Sequence, residues 1–315
     1  MGGLDEEAPA AAETLETQQP APGIAVAAEV SLAVAAKASG ENFPVALRVL
    51  PARWRAHLTA LYGFARLTDD LGDEPLPGMP AGASQETITA TRLRLLDDLQ
   101  ADVARIYDGG QPELAAIREL QRAVHDCDIP RQPFDDLIQA NRQDQLVKRY
   151  ETFDDLRRYC ELSANPVGQA VLYIMSAATP GRLRLSDSIC TALQLVEHWQ
   201  DVAEDLRNGR IYLPREDLER FGVTEADLAR PTAGPNVVTL MTFEVNRAAE
   251  LLGEGAPLVG TLRGAARLAI AGYLAGGRAA LGAIRQAGYD VLRTTPKPGK
   301  AATLANMASS YVRGR

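Results

Sequence analysis

Residues 69–74 read Asp69-Asp70-Leu71-Gly72-Asp73-Glu74, four acids in little more than one helical turn among apolar neighbours. Like charges three or four residues apart on a helix repel by about 0.2–0.5 kcal/mol per pair, so the cluster calls for a cation. Wound at about 100° per residue, Tyr62, Arg66, Asp69 and Asp73 fall on one stripe, with Ala60, Phe64, Leu67 and Leu71 behind them. The stretch QLVEHWQDVAED does the same: Gln194, Glu197, His198, Asp201, Glu204 and Asp205 share a face opposite Leu195, Trp199, Ala203 and Leu206. An acidic stripe on an amphipathic helix is by default its solvated side. Here the D-x-x-x-D spacing recurs, and Arg66 and Gln194 sit on the same stripes. Two facing carboxylate pairs suit Mg²⁺, a hard cation commonly held by one or two carboxylates plus the phosphates of a substrate. The natural third party is a diphosphate.

The elements that must position these groups are helices. From Ser39 onward the hydrophobic spacing is helical, and no β-branched alternation long enough to seed a sheet occurs. The expected fold is all-α, with helices near 52–75, 86–108, 112–127, 131–147, 153–163, 166–179, 184–208, 236–252 and 257–287. Pro75-Leu76-Pro77-Gly78 and Asn208-Gly209 are stops. Residues 1–37 are rich in Ala, Glu, Pro and Thr and read as a disordered tail; one domain spans 38–295, and a terminal segment, 296–315, follows the PKPGK break.

Composition excludes several functions. The 315-residue chain is 46% hydrophobic, enough for a large core, and its 41 acids against 33 bases give a net charge of −8, which argues against a nucleic-acid partner. Three scattered cysteines, Cys127, Cys160 and Cys190, form no disulfide framework or zinc motif, which fits a reducing cytoplasm. No basic-then-apolar leader opens the sequence, and no uninterrupted apolar run is long enough to span a bilayer. Neither a GxxxxGK[ST] loop nor a GxGxxG fingerprint is present, so nucleotide chemistry is not indicated. The segment ANPVGQAVLYIMSAATPG, residues 164–181, is nearly continuous apolar helix, with Pro166 and Gly168 placed to bend its start. By itself it reads as a core helix; beside two metal-binding faces it could wall a tunnel for a hydrocarbon. His57 and His125 read as ordinary helical histidines and Trp54 and Trp199 as core, whereas His198 lies on the acidic face.

YGFARLTDDLGDE (62–74) and QDVAEDLRNGRIYLP (200–214), in that order and about 130 residues apart, resemble the two aspartate motifs of the squalene and phytoene synthase family. The likeness runs from Ser39 to Leu292. ENFPVALRVLP (41–51), SANPVG (163–168), HWQDV (198–202) and GYDVL (288–292) resemble the hydroxysqualene synthase subgroup, with Gln200 where condensing members commonly carry Arg. Glu197 stands where the family usually has Asn, and His198 where an aromatic is common.

The resemblance implies a single-domain isoprenoid synthase-type helical bundle around a central apolar cavity. The reaction it implies is presqualene diphosphate plus water giving hydroxysqualene and diphosphate. Asp69, Asp73, Asp201 and Asp205 would hold Mg²⁺, with Glu197 a further ligand. Arg66 would bind diphosphate, assisted by Arg210 and Tyr212. Phe43, Val167 and Gly168 would face the hydrocarbon, and Tyr62 or Gln194 would orient the water. The implied partners are a presqualene diphosphate synthase, a hydroxysqualene reductase and a peripheral contact with the inner membrane face. Two rival readings stay open: head-to-head condensation of two farnesyl diphosphates or of two larger diphosphates to phytoene, and a non-catalytic lipid-binding or assembly relative.

Overall fold

The computed structural model describes residues 50–80 and 82–299, together with Val26, Ala27, Val30 and Asn306. Among these residues every regular element is a helix; the only β pairing is an isolated bridge between Arg149 and Ile211. Phe43 and most of the 1–37 segment lie outside the described residues. Val26, Ala27 and Val30 are helical, and Ala27 and Val30 are buried in the core.

The long helices are α1 (Ala52–Asp73), α2 (Gln85–Tyr107), α3 (Ala115–Cys127), α4 (Gln132–Leu146), α5 (Phe153–Ser163), α6 (Asn165–Ile174) and α7 (Pro180–Gln200). They are followed by the short α8 (Val202–Arg207), α9 (Arg215–Phe221) and α10 (Glu225–Leu228), then by α11 (Pro235–Gly255), α12 (Leu258–Thr261) and α13 (Gly264–Gln286). Local chemistry sets several boundaries. Ser84 and Thr179 accept from the backbone of the first turns of α2 and α7, and Thr152 with Asp155 closes a capping box at the start of α5. Gly209, at φ +77°, ends α8 in the left-handed conformation that glycine adopts without strain.

α6 sits centrally, touching α1, α4, α5 and α7, while α7 packs along α11 and α13. Phe64, Leu67, Leu71, Phe134, Leu195 and Trp199 are wholly buried between these helices. Gly168 is a close-approach residue: a Cβ there would run into Cys190 Sγ and Ser186 Oγ of α7. Gly72 plays the same part between α1 and α4, where a Cβ would strike the Asn141 amide. The glycine inside DDLGD therefore lets α4 lie against the acidic turn.

Three expected helices are divided or shortened. The 184–208 helix is interrupted at Asp201 (φ −106°, ψ 14°), whose carbonyl accepts from both Glu204 and Asp205 before the chain resumes as α8. The 166–179 helix stops at Ile174, with Ser176 at φ +54°, and 257–287 is split at Leu262-Arg263. All three cysteines are free thiols. No helix among the described residues is long and apolar enough to cross a membrane.

Candidate active site

Six carboxyl groups from three parts of the chain line one cleft of about 280 Å³: Asp69 and Asp73 from α1, Asp144 from α4, and Glu197, Asp201 and Asp205 from the α7–α8 junction. The backbone is arranged to bring them there. Gln145 Nε2 donates to the Gly72 carbonyl (3.1 Å) and Asn141 Nδ2 to Asp69 Oδ1 (3.3 Å), tying α4 to the acidic turn of α1. The break at Asp201 turns α8 off the axis of α7. Residues 148–151 and 211–216 are joined by Ile211 N to Lys148 O (3.0 Å), Arg215 N to Tyr150 O (2.9 Å) and Glu216 N to Glu151 O (3.0 Å). This seam carries Arg210 and Tyr212 to the cleft wall.

The cleft is electrostatically crowded. Asp69 has a face open to the cleft solvent, but protein walls its carboxylate elsewhere; burial, reinforced by Asp73, raises its pKa to about 6 against the Asn141 hydrogen bond. Burial likewise raises Asp144 to about 6, and burial with the neighbouring Asp201 raises Asp205 to about 7. Glu197 and Asp201 shift in the same direction, each first by burial and then by a neighbouring acid, Asp201 and Glu204 respectively. Each of these shifts favours the protonated acid, and a cation beside the group would act in the opposite direction.

The cation that faces the cleft is Arg210, which reaches across to Asp73 (Nη2 to Oδ1, 2.6 Å). Burial works against this guanidinium, and the Asp73 ion pair more than offsets it, so its pKa is raised. Arg66 is placed differently from the sequence expectation. It pairs along its own helix with Asp70 (2.8 Å) and Glu74 (3.6 Å), and neither it nor Tyr62 lines the cleft. The spacing explains this: Arg66 is three residues from Asp69 but four from Asp70, and the Nε that meets Asp70 follows the i,i+4 row.

The floor is aromatic. His198 stacks on Tyr212 with centroids 3.7 Å apart and planes 13° apart; Tyr150 and Tyr159 pack against the same Tyr212. Tyr159 Oη donates to Asp144 Oδ2 at 2.8 Å. His198 is buried and neutral, its pKa lowered to about 3 by burial and by Arg210. Its Nε2 lies 3.3 Å from Gln194 Nε2.

Beyond Gln194 the chemistry changes. A second cavity of about 290 Å³ is walled by Val167, Val171, Ile189, Leu193, Leu258, Ile270 and Tyr273, and it shares Ser163, Gln194 and Glu197 with the acidic cleft. Of the residues expected at the hydrocarbon, Val167 lines this cavity, and Gly168 stands behind it and sets the α6–α7 spacing. A third cavity, of about 490 Å³, lies past Glu197 and Asp201 and is bordered by Gln200, Glu204, Thr295 and Lys297. Gln200 Nε2 donates to the Pro296 carbonyl, so the terminal segment from Pro296 packs on the end of α7.

The carboxyl groups fit magnesium by type, being hard oxygen donors, and no thiol lines the cleft. Among the described residues no three acid, His or Cys side chains are gathered tightly enough to hold a metal ion by themselves.

Asn141, Asp144, Tyr159 and Ser163 line the cleft without having been singled out from sequence. A signal existed for two of them: Leu137, Asn141 and Asp144 follow an i, i+4, i+7 row, so polar groups interrupt an otherwise apolar face of α4. Tyr159 and Ser163 are separated by one turn, but nothing local marks which face of α5 meets α7.

Comparisons with known proteins identify relatives of the chain. The chain is 34% identical over 225 residues to the hydroxysqualene synthase of Rhodopseudomonas palustris, covering 71% of this chain and 72% of that protein. Among solved structures, the squalene synthase HpnC of Alicyclobacillus acidocaldarius superposes with a TM-score of 0.72 at 38% identity, over 84% of this chain and 95% of the other. A dehydrosqualene synthase determined in complex with ligand shares the fold at a TM-score of 0.77 and 24% identity, over 93% of this chain and all of that one. The squalene/phytoene synthase family model matches residues 36–302. With two acidic helix ends facing each other across a cleft in an all-α bundle, the chain belongs to the squalene/phytoene synthase family.

Proposed function

We propose that this protein converts presqualene diphosphate and water to hydroxysqualene and diphosphate, with Mg²⁺ as cofactor. The observation that carries the reading is the union of a cleft lined by six carboxyl groups with an apolar cavity through a polar junction. That division matches a substrate with a diphosphate at one end and a hydrocarbon at the other. The name of the Rhodopseudomonas palustris relative supports the specific reaction.

Asp69 and Asp73 on one side and Asp201 and Asp205 on the other are the residues to hold magnesium, with Glu197 beside them. When bound, the metal supplies Lewis-acid charge for the departing diphosphate. Arg210 is placed to exchange its Asp73 contact for diphosphate oxygens, which its planar fork suits. Tyr212 and neutral His198 form an uncharged stacked wall beside these groups. Val167, Val171, Ile189 and Leu193 exclude bulk water from the carbocation while it rearranges. The step is redox-neutral and needs no hydride donor.

This reading places the enzyme between one that makes presqualene diphosphate and one that reduces hydroxysqualene, in squalene and hopanoid synthesis. Such apolar molecules give a reason for peripheral contact with the inner membrane face from the cytoplasm. A second reading, condensation of two farnesyl diphosphates, draws on the third cavity, where Lys297 stands beyond Glu197 and Asp201 with room for another anion. Incubation of the purified protein and Mg²⁺ with each substrate separately, followed by mass spectrometry of the extract, separates them. Hydroxysqualene from presqualene diphosphate alone is the expected result; consumption of farnesyl diphosphate would overturn it in favour of condensation.

A further inference from the structure

Ser163 closes α5, next to the Ala164 joint that turns the chain into α6. Among the described residues, only Ser163, Gln194 and Glu197 line both the acidic cleft and the apolar cavity. Ser163 Oγ is buried and has no hydrogen-bond partner among them. A buried hydroxyl without a partner is costly and calls for an explanation. Two cavities meet here, and a water needs room and two to four polar neighbours. Ser163 can both donate and accept, and the Gln194 amide brings a donor and an acceptor of its own. Gln194 is itself anchored at 3.3 Å from the buried ring of His198.

We propose that Ser163 Oγ, together with the Gln194 amide, holds the single water that becomes the product hydroxyl. The inference rests on the function proposed above and adds the residue that delivers the nucleophile. The substrate's C–O bond breaks with its electron pair leaving on the diphosphate. After rearrangement, a lone pair of the held water forms the new C–O bond at the cationic carbon, and the surplus proton passes to the released diphosphate in the adjoining cleft. Ser163 neither gains nor loses a proton; it is a positioning residue. Its location at the boundary explains how one water is admitted at the polar edge of a mainly apolar cavity.

The test runs the full-length protein with presqualene diphosphate and Mg²⁺ in ¹⁸O-labelled water, measuring diphosphate release and the labelled alcohol in parallel. For Ser163→Ala, the share of turnovers ending in labelled hydroxysqualene should fall about fivefold or more, the loss expected from one water-holding hydrogen bond. The remainder should appear as unhydroxylated hydrocarbon formed by proton loss. Ser163→Thr, which keeps the hydroxyl, should restore the alcohol share. If Ser163→Ala does not fold, Ser163→Cys, close in size but a weak donor, carries the measurement. An unaltered alcohol share in the variant that folds would overturn the role of Ser163 while leaving the proposed reaction standing. Absence of labelled alcohol from the wild-type protein would instead overturn the reaction, and this inference with it.

Discussion

Asp217 and Glu244 share Arg247 on the far side of the 209–221 segment, much as Asp73 takes Arg210 on the near side, but the surroundings differ. Arg247 Nη1 lies 2.8 Å from Asp217 Oδ2 and 3.2 Å from Glu244 Oε2, and its guanidinium sits 4.0 Å from the Phe153 centroid and 4.4 Å from that of Phe243. Both acids are buried, at 3% and 0% exposure. One cation serves two carboxyls under aromatic cover, and burial raises Glu244 to about 8, so a retained proton completes the balance. In the cleft, six carboxyl groups line an open volume with Arg210 among them, while Lys148 and Arg92 act on Asp73 from outside the lining. The first arrangement is neutralised internally and locks α9 to α11; the second gathers more carboxyl groups than cations around an open volume. Excess carboxyl groups facing space, rather than burial of charge, distinguish the candidate site here.

The largest effect expected from breaking this contrast is on turnover. Asp69→Asn or Asp201→Asn should reduce activity on the order of 10²–10³-fold or more, while circular dichroism and thermal melting show the helical fold intact. Wild-type rates in either variant would sink the magnesium assignment. Arg247→Ala should leave the cleft groups in place but strand the buried Asp217 carboxylate beside a protonated Glu244, costing about 3 kcal/mol in urea unfolding at pH 7.5. A cost near zero there would mean the two clusters do not differ as described.

Smaller effects concern protons. Glu244 moves from its ordinary 4.5 to about 8 in the folded protein, so the folded state holds a proton that the unfolded chain has lost between those values. Its stability contribution is complete below pH 4.5 and is lost as pH rises through 8. Thermal melting should therefore drop across the upper part of that window, and Glu244→Gln should flatten the drop; an identical slope in the variant would refute the assignment. In the cleft, Asp69 at about 6 and Asp205 at about 7 must ionise to accept a cation. At limiting Mg²⁺, kcat/KM should fall with acidification through that range, and saturating metal should move the acid limb lower. A limb that ignores metal concentration would assign it to other groups.

Much of this was legible in the sequence, for physical reasons. Thirteen to twenty-three residues of amphipathic spacing in α1–α4, α7, α11 and α13 are long enough for periodicity to show. α9 and α10, of seven and four residues, were missed because so few residues carry no period. The break at Asp201 was also invisible, since both halves obey the same acidic stripe. At the site, the paired aspartates announced themselves by repulsion, but the choice between Arg66 and Arg210 did not. An arginine near an acid in sequence pairs locally, whereas Arg210 meets Asp73 across 137 residues.

The sequence by itself determined an all-helical bundle, two acidic helix ends and an apolar helix within 164–181, because helical spacing and charge density are local properties. Only the tertiary structure decided that Asp144 joins the acids, that Arg210 rather than Arg66 faces them, and that Ser163 stands where polar and apolar cavities meet. Those facts depend on how closely α4, α5 and α7 approach one another. Gly72 and Gly168 permit that approach by lacking a side chain, and a missing side chain names no partner until the helices are packed.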